Sequence, residues 1–210
     1  GVPGVEPANI LILGGGVVGS NAAKLAAGLG ANVYIFDINN HHLRHLDDIM
    51  PANVRTIYSN RYAISNILPK VDLLIGAVLD VGAKAPKLID RTLLAKMSPG
   101  SVIVDVSVDQ GGCIETTRPT THEAPTFTEE GVTHYCVTNM PGAVARTSTY
   151  ALSNATLPYI LALADNGYVS ALKDDLHFRS GLNIHKGQIT HEAVAEALGY
   201  ELQDSNVALR

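Results

Sequence analysis

The segment Asn9-Ile10-Leu11-Ile12-Leu13-Gly14-Gly15-Gly16-Val17-Val18-Gly19 constrains the fold of this chain more than any other. A short, continuous apolar run stopped by glycines reads as a strand buried on both faces, as in a parallel sheet covered by helices on each side. The glycines fit G-x-G-x-x-G and lead straight into a helical stretch, 17–29, with small residues, Leu25 and Leu29 at helical spacing, and Gly30 at its end. A second apolar run, Asn32-Val33-Tyr34-Ile35-Phe36, follows, and Asp37 stands at its carboxyl end. In this setting Gly14 permits a tight turn, Gly16 lets backbone approach a pyrophosphate, and Gly19 lets helix and strand pack closely. The helix N-terminus, at Val17 and Val18, then faces the ligand's negative charge. Asp37 lies 18 residues after Gly19, where a carboxylate can accept hydrogen bonds from the ribose hydroxyls of an adenosine. The same charge opposes a 2′-phosphate, which favours NAD over NADP, although Arg44 and the neighbouring histidines weaken that opposition slightly.

The rest of the first 140 residues repeats the alternation. Asn39 or Asn40 is placed to cap a helix through Leu43, Leu46 and Ile49 that stops before Pro51. Strands are expected at 54–58, 72–78, 101–106 and 133–137, with helices at 61–68 and 90–97 between them. Six strands separated by helices predict an α/β fold, a Rossmann doubly wound parallel sheet of order 3-2-1-4-5-6, followed by C-terminal helices. After Pro141 the pattern turns helical: 148–165 with a kink at Pro158, then 170–177, then 190–198 with Thr190 capping and Gly199 ending it. The tail from Asp204 is expected to fray. Residues 1–145 are thus expected to form the dinucleotide-binding domain and 146–210 a helical segment. The opening Gly1-Val2-Pro3-Gly4-Val5-Glu6-Pro7, which lacks an initiator Met, reads as a linker exposed by truncation or cleavage.

Charge and composition exclude several functions. The net charge of −5, with no Lys/Arg run, gives no electrostatic footprint for nucleic acid or an anionic membrane. No stretch approaches the ~18 apolar residues that span a bilayer, and no signal sequence opens the chain, so a cytoplasmic location is expected. Cys113 and Cys136 sit in no CxxC pair and read as reduced thiols. His41-His42-x-x-His45 puts two imidazoles one turn apart, but without a cysteine ligand it reads as a solvated face; no metal is expected.

Two further clusters fall at strand ends, where ligands of such folds bind. One is Val104-Asp105-Val106-Ser107-Val108-Asp109-Gln110-Gly111-Gly112, in which Asp109 is a candidate catalytic carboxylate; spacing alone favours an Asp/Gly turn that satisfies its own backbone. The other is Thr138-Asn139-Met140-Pro141-Gly142, in which Asn139 offers both an amide donor and an acceptor, and which unaided reads as a turn.

Taken together with Gly1 to Ala8, Leu11 to Gly19, Arg118-Pro119-Thr120-Thr121 and Thr147-Ser148-Thr149-Tyr150-Ala151, these runs resemble the alanine dehydrogenase family over nearly the whole chain. The Asp109-Gln110-Gly111-Gly112 and Asn139-Met140-Pro141 runs are the specific part of the likeness. The resemblance implies reversible, NAD-linked oxidative deamination of L-alanine to pyruvate and ammonium by a homo-oligomer. It further implies that Asp109 is the catalytic aspartate beside the nicotinamide and Asp37 the ribose-binding acid. Ser59 falls on an adenine-side contact, Val78 and Leu79 on a cofactor-lining segment, and Arg118 on a cofactor-contacting position. Val106, Ser107, Val108 and Asp109, with Val137, Thr138, Asn139 and Met140, fall on the nicotinamide walls. His42 stands where many members carry Lys or Arg. The resemblance places the substrate-carboxylate and acid–base groups in a preceding segment, onto which residues 146–210 would pack. The nucleotide-binding component of a proton-translocating transhydrogenase is a second reading, which Asp109-Gln110 opposes; a non-catalytic NAD-binding module is a third.

Overall fold

The structure is a computed structural model, and it describes residues 2–79 and 85–209; Gly1, from the opening run, and Arg210, from the tail, lie outside the described residues. The described residues divide into two compact units, 2–79 with 85–140, and 141–209.

The first unit is built on a seven-stranded sheet. Its strands are β1 (Asn9–Leu13), β2 (Asn32–Asp37), β3 (Val54–Tyr58), β4 (Leu73–Gly76), β5 (Val102–Asp105), β6 (Thr126–Glu129) and β7 (Val132–Tyr135). Their order across the sheet is β3-β2-β1-β4-β5-β7-β6. All neighbours are parallel except the β6–β7 pair at the edge, which is antiparallel. The expected doubly wound order is therefore present, with the strand read at 133–137 realised as β7 and one more strand, β6, added outside it. The helices are α1 (Val17–Gly28), α2 (Asn40–Ile49), α3 (Arg61–Ile67) and α4 (Arg91–Leu94).

Double winding follows from the alternation of side chains along β1. Leu11 and Leu13 enter one core with Ile64, Leu68, Leu93 and Leu94. Ile10 and Ile12 point the other way, into a second core with Ala23, Ala26, Ala27 and Leu46. A strand so placed has no polar face, and each fully buried Leu or Ile contributes about 1.5–3 kcal/mol. Side-chain caps start the helices: Asn39 accepts from the amides of His41 and His42, Asn60 from Ala63, and Asp90 from Leu93.

α1 corrects the face expected from Leu25 and Leu29. These residues are 73% and 76% exposed, and the buried face is Gly19, Ala23, Ala26 and Ala27. Small side chains let this helix lie close on β1, so its leucines turn outward. The added strand has an equally local cause. Glu130 (φ 51°) and Gly131 (φ 78°) make a two-residue turn with both φ positive, the geometry whose twist matches antiparallel strands.

The second unit contains α5 (Ala145–Asp174), α6 (Leu176–Arg179), the short hairpin of β8 (Ile184–His185) with β9 (Gln188–Ile189), α7 (Glu192–Leu198) and α8 (Ser205–Ala208). The break in the long helix falls at Gly167 (φ 71°, ψ 155°) and not at Pro158. That backbone conformation is open essentially to glycine alone, and it joins two helical segments. Thr190 does not cap α7; its hydroxyl donates to the Leu182 carbonyl, and His191 holds the cap position. The tail from Asp204 is ordered, because the Asp204 carboxylate accepts from the amides of Asn206 and Val207 and Leu209 is buried. No helix among the described residues is long and apolar enough to cross a membrane.

Ile103, fully buried on β5, gauges this core. The Ile103→Ala variant is expected to lose about 2–5 kcal/mol of stability, read as a lower urea midpoint with an unchanged slope.

Candidate functional site

The sheet order reverses beside β1, whose neighbours β2 and β4 are reached by crossovers in opposite directions. Ligands of open α/β sheets bind in the crevice at the carboxyl ends of strands at such a point, and the glycine turn lies there. Gly14 donates to the Phe36 carbonyl and the Ala77 amide to the Leu13 carbonyl, each at 2.8 Å, so the turn is clamped between β2 and β4. Gly14 has φ 95°, and a Cβ there would stand 2.6 Å from the Ala77 oxygen. A Cβ on Gly19 would overlap the Gly14 carbonyl oxygen. Gly16 differs from both: a Cβ there would meet no atom within 4 Å. Its hydrogen therefore borders open space, and as the cap residue of α1 it offers no side-chain acceptor to the first-turn amides.

Asp37 is fixed beside this turn by backbone. One carboxylate oxygen accepts from the Gly15 amide and the other from the Asn39 amide, each at 2.8 Å. His42 Nδ1 stands 3.8 Å from the same carboxylate, and the Ser59 amide donates to the Asp37 carbonyl at 2.9 Å. A cavity of about 260 Å3 opens here. It gathers Gly14, Gly16, Asp37, His42, Ser59, Val78 and Leu79 from the residues singled out in the sequence, and adds Pro86 and Leu88, which no pattern marked. Val17 and Val18 are exposed in the first turn of α1.

The remaining predicted residues gather at the ends of β5 and β7. After β5 the chain makes a 3-10 turn, Val108–Gln110, with Gly111 in the left-handed region (φ 91°). Asp109 is exposed on this turn, while Ser107 and Val108 are buried and Val106 is half-buried. The turn is organised by Asp105, a fully buried carboxylate that sequence reasoning did not select. It accepts from the Ser107 amide (3.1 Å), the Cys113 amide (3.0 Å) and the Thr117 hydroxyl (2.8 Å). A buried charge is tolerable only with such partners. Gly76, paired with Asp105 across β4 and β5, makes room for it: a Cβ there would lie 2.9 Å from the carboxylate and 2.6 Å from the Cys113 sulfur. An aspartate closing an otherwise apolar strand was the available signal.

Beyond β7, Val137 is buried, Thr138 and Asn139 are exposed and Met140 is half-buried. Asn139 adopts φ 55°, and its carbonyl accepts from His122 Nε2 at 3.2 Å. Arg118 is not among the residues lining the cavity; its guanidinium lies over the Phe127 ring, 4.2 Å from the centroid. Phe127 in turn stacks on His134. Burial holds the His134 imidazole below its ordinary pKa. The neutral ring donates through Nδ1 to the Val132 carbonyl (3.0 Å) and accepts at Nε2 from the Thr116 hydroxyl (2.8 Å).

His41 and His45 are exposed, and no group of three or more His, Cys, Asp or Glu among the described residues is placed to hold a metal ion. A larger cavity, about 630 Å3, lies in the second unit against Ile184, Ile189, Leu198, Tyr200 and Leu202, and includes none of the residues singled out above.

The fold and its glycine turn define a doubly wound domain of the Rossmann class. Within that class the chain belongs to the family described as alanine dehydrogenase/PNT, C-terminal domain, whose model matches residues 1–192. It is 57% identical over 201 residues to the alanine dehydrogenase of Halomonas elongata, a match covering 96% of this chain and 54% of that protein. A solved L-alanine dehydrogenase structure superposes with a TM-score of 0.83 at 51% identity, covering 95% of this chain and 55% of the other. A transhydrogenase from Sinorhizobium meliloti is less similar: TM-score 0.60, 28% identity, 67% of this chain and 41% of the other. The chain spans about half the length of the curated relatives it matches.

The glycines separate positions that packing requires from one that borders open space. Gly19→Ala is expected to cost about 1–3 kcal/mol or more through overlap with Gly14, whereas Gly16→Ala meets no atom and costs only the loss of a favoured cap residue, up to about 1 kcal/mol; a melting comparison of the two variants checks this. The buried thiols supply a second expectation. Burial, with the Asp105 charge added, pushes Cys113 up to about 12 and Cys136 up to about 11, from an ordinary 9.0. Neither is expected to react with a disulfide reagent at pH 8 until denaturant is added. Stability tied to the neutral thiols is present below pH 9.0 and is lost as pH rises from there toward about 12.

Proposed function

We propose that this chain is the NAD-binding portion of an alanine dehydrogenase, the enzyme that converts L-alanine, NAD and water to pyruvate, ammonium and NADH. One observation carries the reading: the open space over Gly16, between the uncapped first-turn amides of α1 and an Asp37 carboxylate already oriented by two backbone amides. These residues fit the coenzyme. Gly14, Gly16, Val17, Val18 and Gly19 would hold the pyrophosphate by backbone, and Asp37 the adenosine ribose, with His42, Ser59, Val78 and Leu79 around them. Residues 1–145 would constitute the coenzyme domain. Residues 146–210 would pack on the substrate domain found in the part of the relatives that this chain does not span.

The bound nicotinamide supplies the carbon that accepts a hydride from the alanine α-carbon. The chain's own contribution is placement and proton handling. Asp109, exposed at the carboxyl edge of the sheet, is assigned to holding the reacting amine and the attacking water and to taking up a proton. Asn139, held in the left-handed conformation, is assigned to fixing the carboxamide or a substrate carbonyl through its side-chain amide. Val106, Ser107, Val108, Val137, Thr138 and Met140 would form the nicotinamide walls, and Arg118, by the resemblance, would contact the coenzyme as well. By the resemblance, the groups that grip the substrate carboxylate belong to the half of the relatives not spanned here, so this chain alone binds coenzyme without turnover. A cytoplasmic location and a homo-oligomeric assembly complete the reading.

Calorimetric titration tests it. The wild type is expected to bind NAD more tightly than NADP, because a 2′-phosphate would stand against Asp37. Asp37→Ala is expected to weaken NAD by about ten- to a hundredfold, the worth of about 1.5–3 kcal/mol in hydrogen bonds to a charged group, and to narrow the preference. Equal affinity of the wild type for both dinucleotides would remove the assignment.

A further inference from the structure

Residues 85–89 form a strap that belongs to two neighbourhoods at once. On one side, Pro86 and Leu88 line the cavity beside Gly14 and Asp37. On the other, the strap runs along the Asp109 turn: the Ala85 amide donates to the Gln110 carbonyl (3.0 Å), the Leu88 amide to the Cys113 carbonyl (2.8 Å), and Ile89 bridges Ile114 in parallel. Lys87 falls between the two cavity residues and is not itself among the residues that line the cavity. Its ammonium donates to the carbonyls of Gly111 (2.5 Å) and Ile114 (3.0 Å), at the two ends of the bend that follows the Val108–Gln110 turn.

Lys87 is an exposed residue, and a lysine head group on a flexible stem usually stays free in water. Here it spans two main-chain acceptors on a loop whose glycines, Gly111 (φ 91°) and Gly112 (φ 72°), provide no side chain to hold it. Asp105 anchors the loop from inside through the Ser107 and Cys113 amides; Lys87 anchors it from outside through the carbonyls. Lys87 sits on the segment that also walls the cavity, and it adds a side-chain link to the main-chain links made there by Ala85, Leu88 and Ile89.

We propose that Lys87 is a positioning residue that couples occupancy of the coenzyme cavity to the placement of Asp109. The proposal rests on the coenzyme reading given above. A ligand pressed against Pro86 and Leu88 immobilises the strap, and the ammonium carries that constraint to Gly111 and Ile114, steadying the turn before substrate arrives. The signature is a loop whose amides become protected when coenzyme binds, although coenzyme need not touch them.

Hydrogen exchange with NADH as the probe tests this on the whole chain. In the wild type, saturating NADH is expected to slow exchange of the Gln110, Gly111 and Gly112 amides by about tenfold, within the usual range of coupling between sites. Lys87→Met is expected to bind NADH within about threefold of the wild type while losing most of that slowing, and Lys87→Arg to restore much of it. Undiminished slowing in Lys87→Met overturns the proposal. So does faster loop exchange in the free variant that NADH still slows by the same factor, since that is a purely structural clamp. A large loss of NADH affinity with an unchanged loop response overturns it as well, by making Lys87 a binding residue. Should Lys87→Met fail to fold, Lys87→Gln, which keeps a neutral donor, decides by the same readout. Failure of the wild type to bind NADH is a different result: it removes the coenzyme reading itself, and this proposal with it.

Discussion

The approach of α1 to β1 is the contact on which the rest of the structure depends. It is possible only because residue 19 has no Cβ, for any side chain there would occupy the position of the Gly14 carbonyl oxygen. That single vacancy fixes the helix at the height where Ala23, Ala26 and Ala27 meet Ile10 and Ile12, and so decides which face of the helix is inside. It also decides where the helix begins. With its axis set by Gly19, its first amides emerge over Gly16, where the neighbourhood is empty. Packing and ligand geometry are thus one constraint read at two ends of a turn.

A second constraint balances the first across the sheet. Where β1 ends in glycines, β5 ends in a buried carboxylate, and Gly76 on the intervening strand is small because Asp105 needs the space. One strand end leaves amides unpaired toward the crevice; the other consumes amides within the protein, drawing Ser107 and Cys113 onto Asp105. The first arrangement makes a place for an anion. The second makes a rigid loop from glycine-rich chain that would otherwise wander, and it leaves the nearby Asp109 exposed.

How much of this was legible in the sequence depends on whether a residue acts through its own pattern or through a distant partner. The strands and their order were legible, because apolar runs broken by glycine leave few topologies open. Gly14, Gly16 and Asp37 were legible for the same reason, whereas Ser59 and Val78 came only through the family resemblance. The face of α1 was not: leucine spacing pointed one way, and close packing on alanines won. Both hairpins escaped notice because their turns open with Glu130 and Lys186 instead of the Asn or Asp that usually announces such a turn; in each, only the following glycine was visible. Gly167 and Pro158 compete as breakers, and an interior proline is the stronger expectation. The chain nonetheless stays helical through Pro158 and breaks where φ turns positive. Pro86, Lys87 and Leu88 carry no local signature at all, and Asp105 only that of an acid closing an apolar strand, since each matters only through residues brought to it by the fold.

This difference also separates the two halves of the functional reading. The proposed coenzyme recognition would rest on main-chain amides, absent Cβ atoms and one acid at a strand end, all of which follow from spacing in the sequence. The substrate chemistry proposed for Asp109 and Asn139 would rest on two exposed side chains on irregular backbone, one on a turn followed by Gly111 at φ 91° and the other itself at φ 55°. Such positions look like ordinary turns until a family supplies the reason for them. The same reasoning explains how relatives within one family can share the glycine turn and differ elsewhere. In the proposed reading the turn would serve the pyrophosphate, whatever the substrate, whereas the loops after β5 and β7 are free to carry different groups. The stronger likeness to the L-alanine dehydrogenase structure than to the transhydrogenase, 51% against 28% identity, therefore bears on the chemistry more than the glycine turn does.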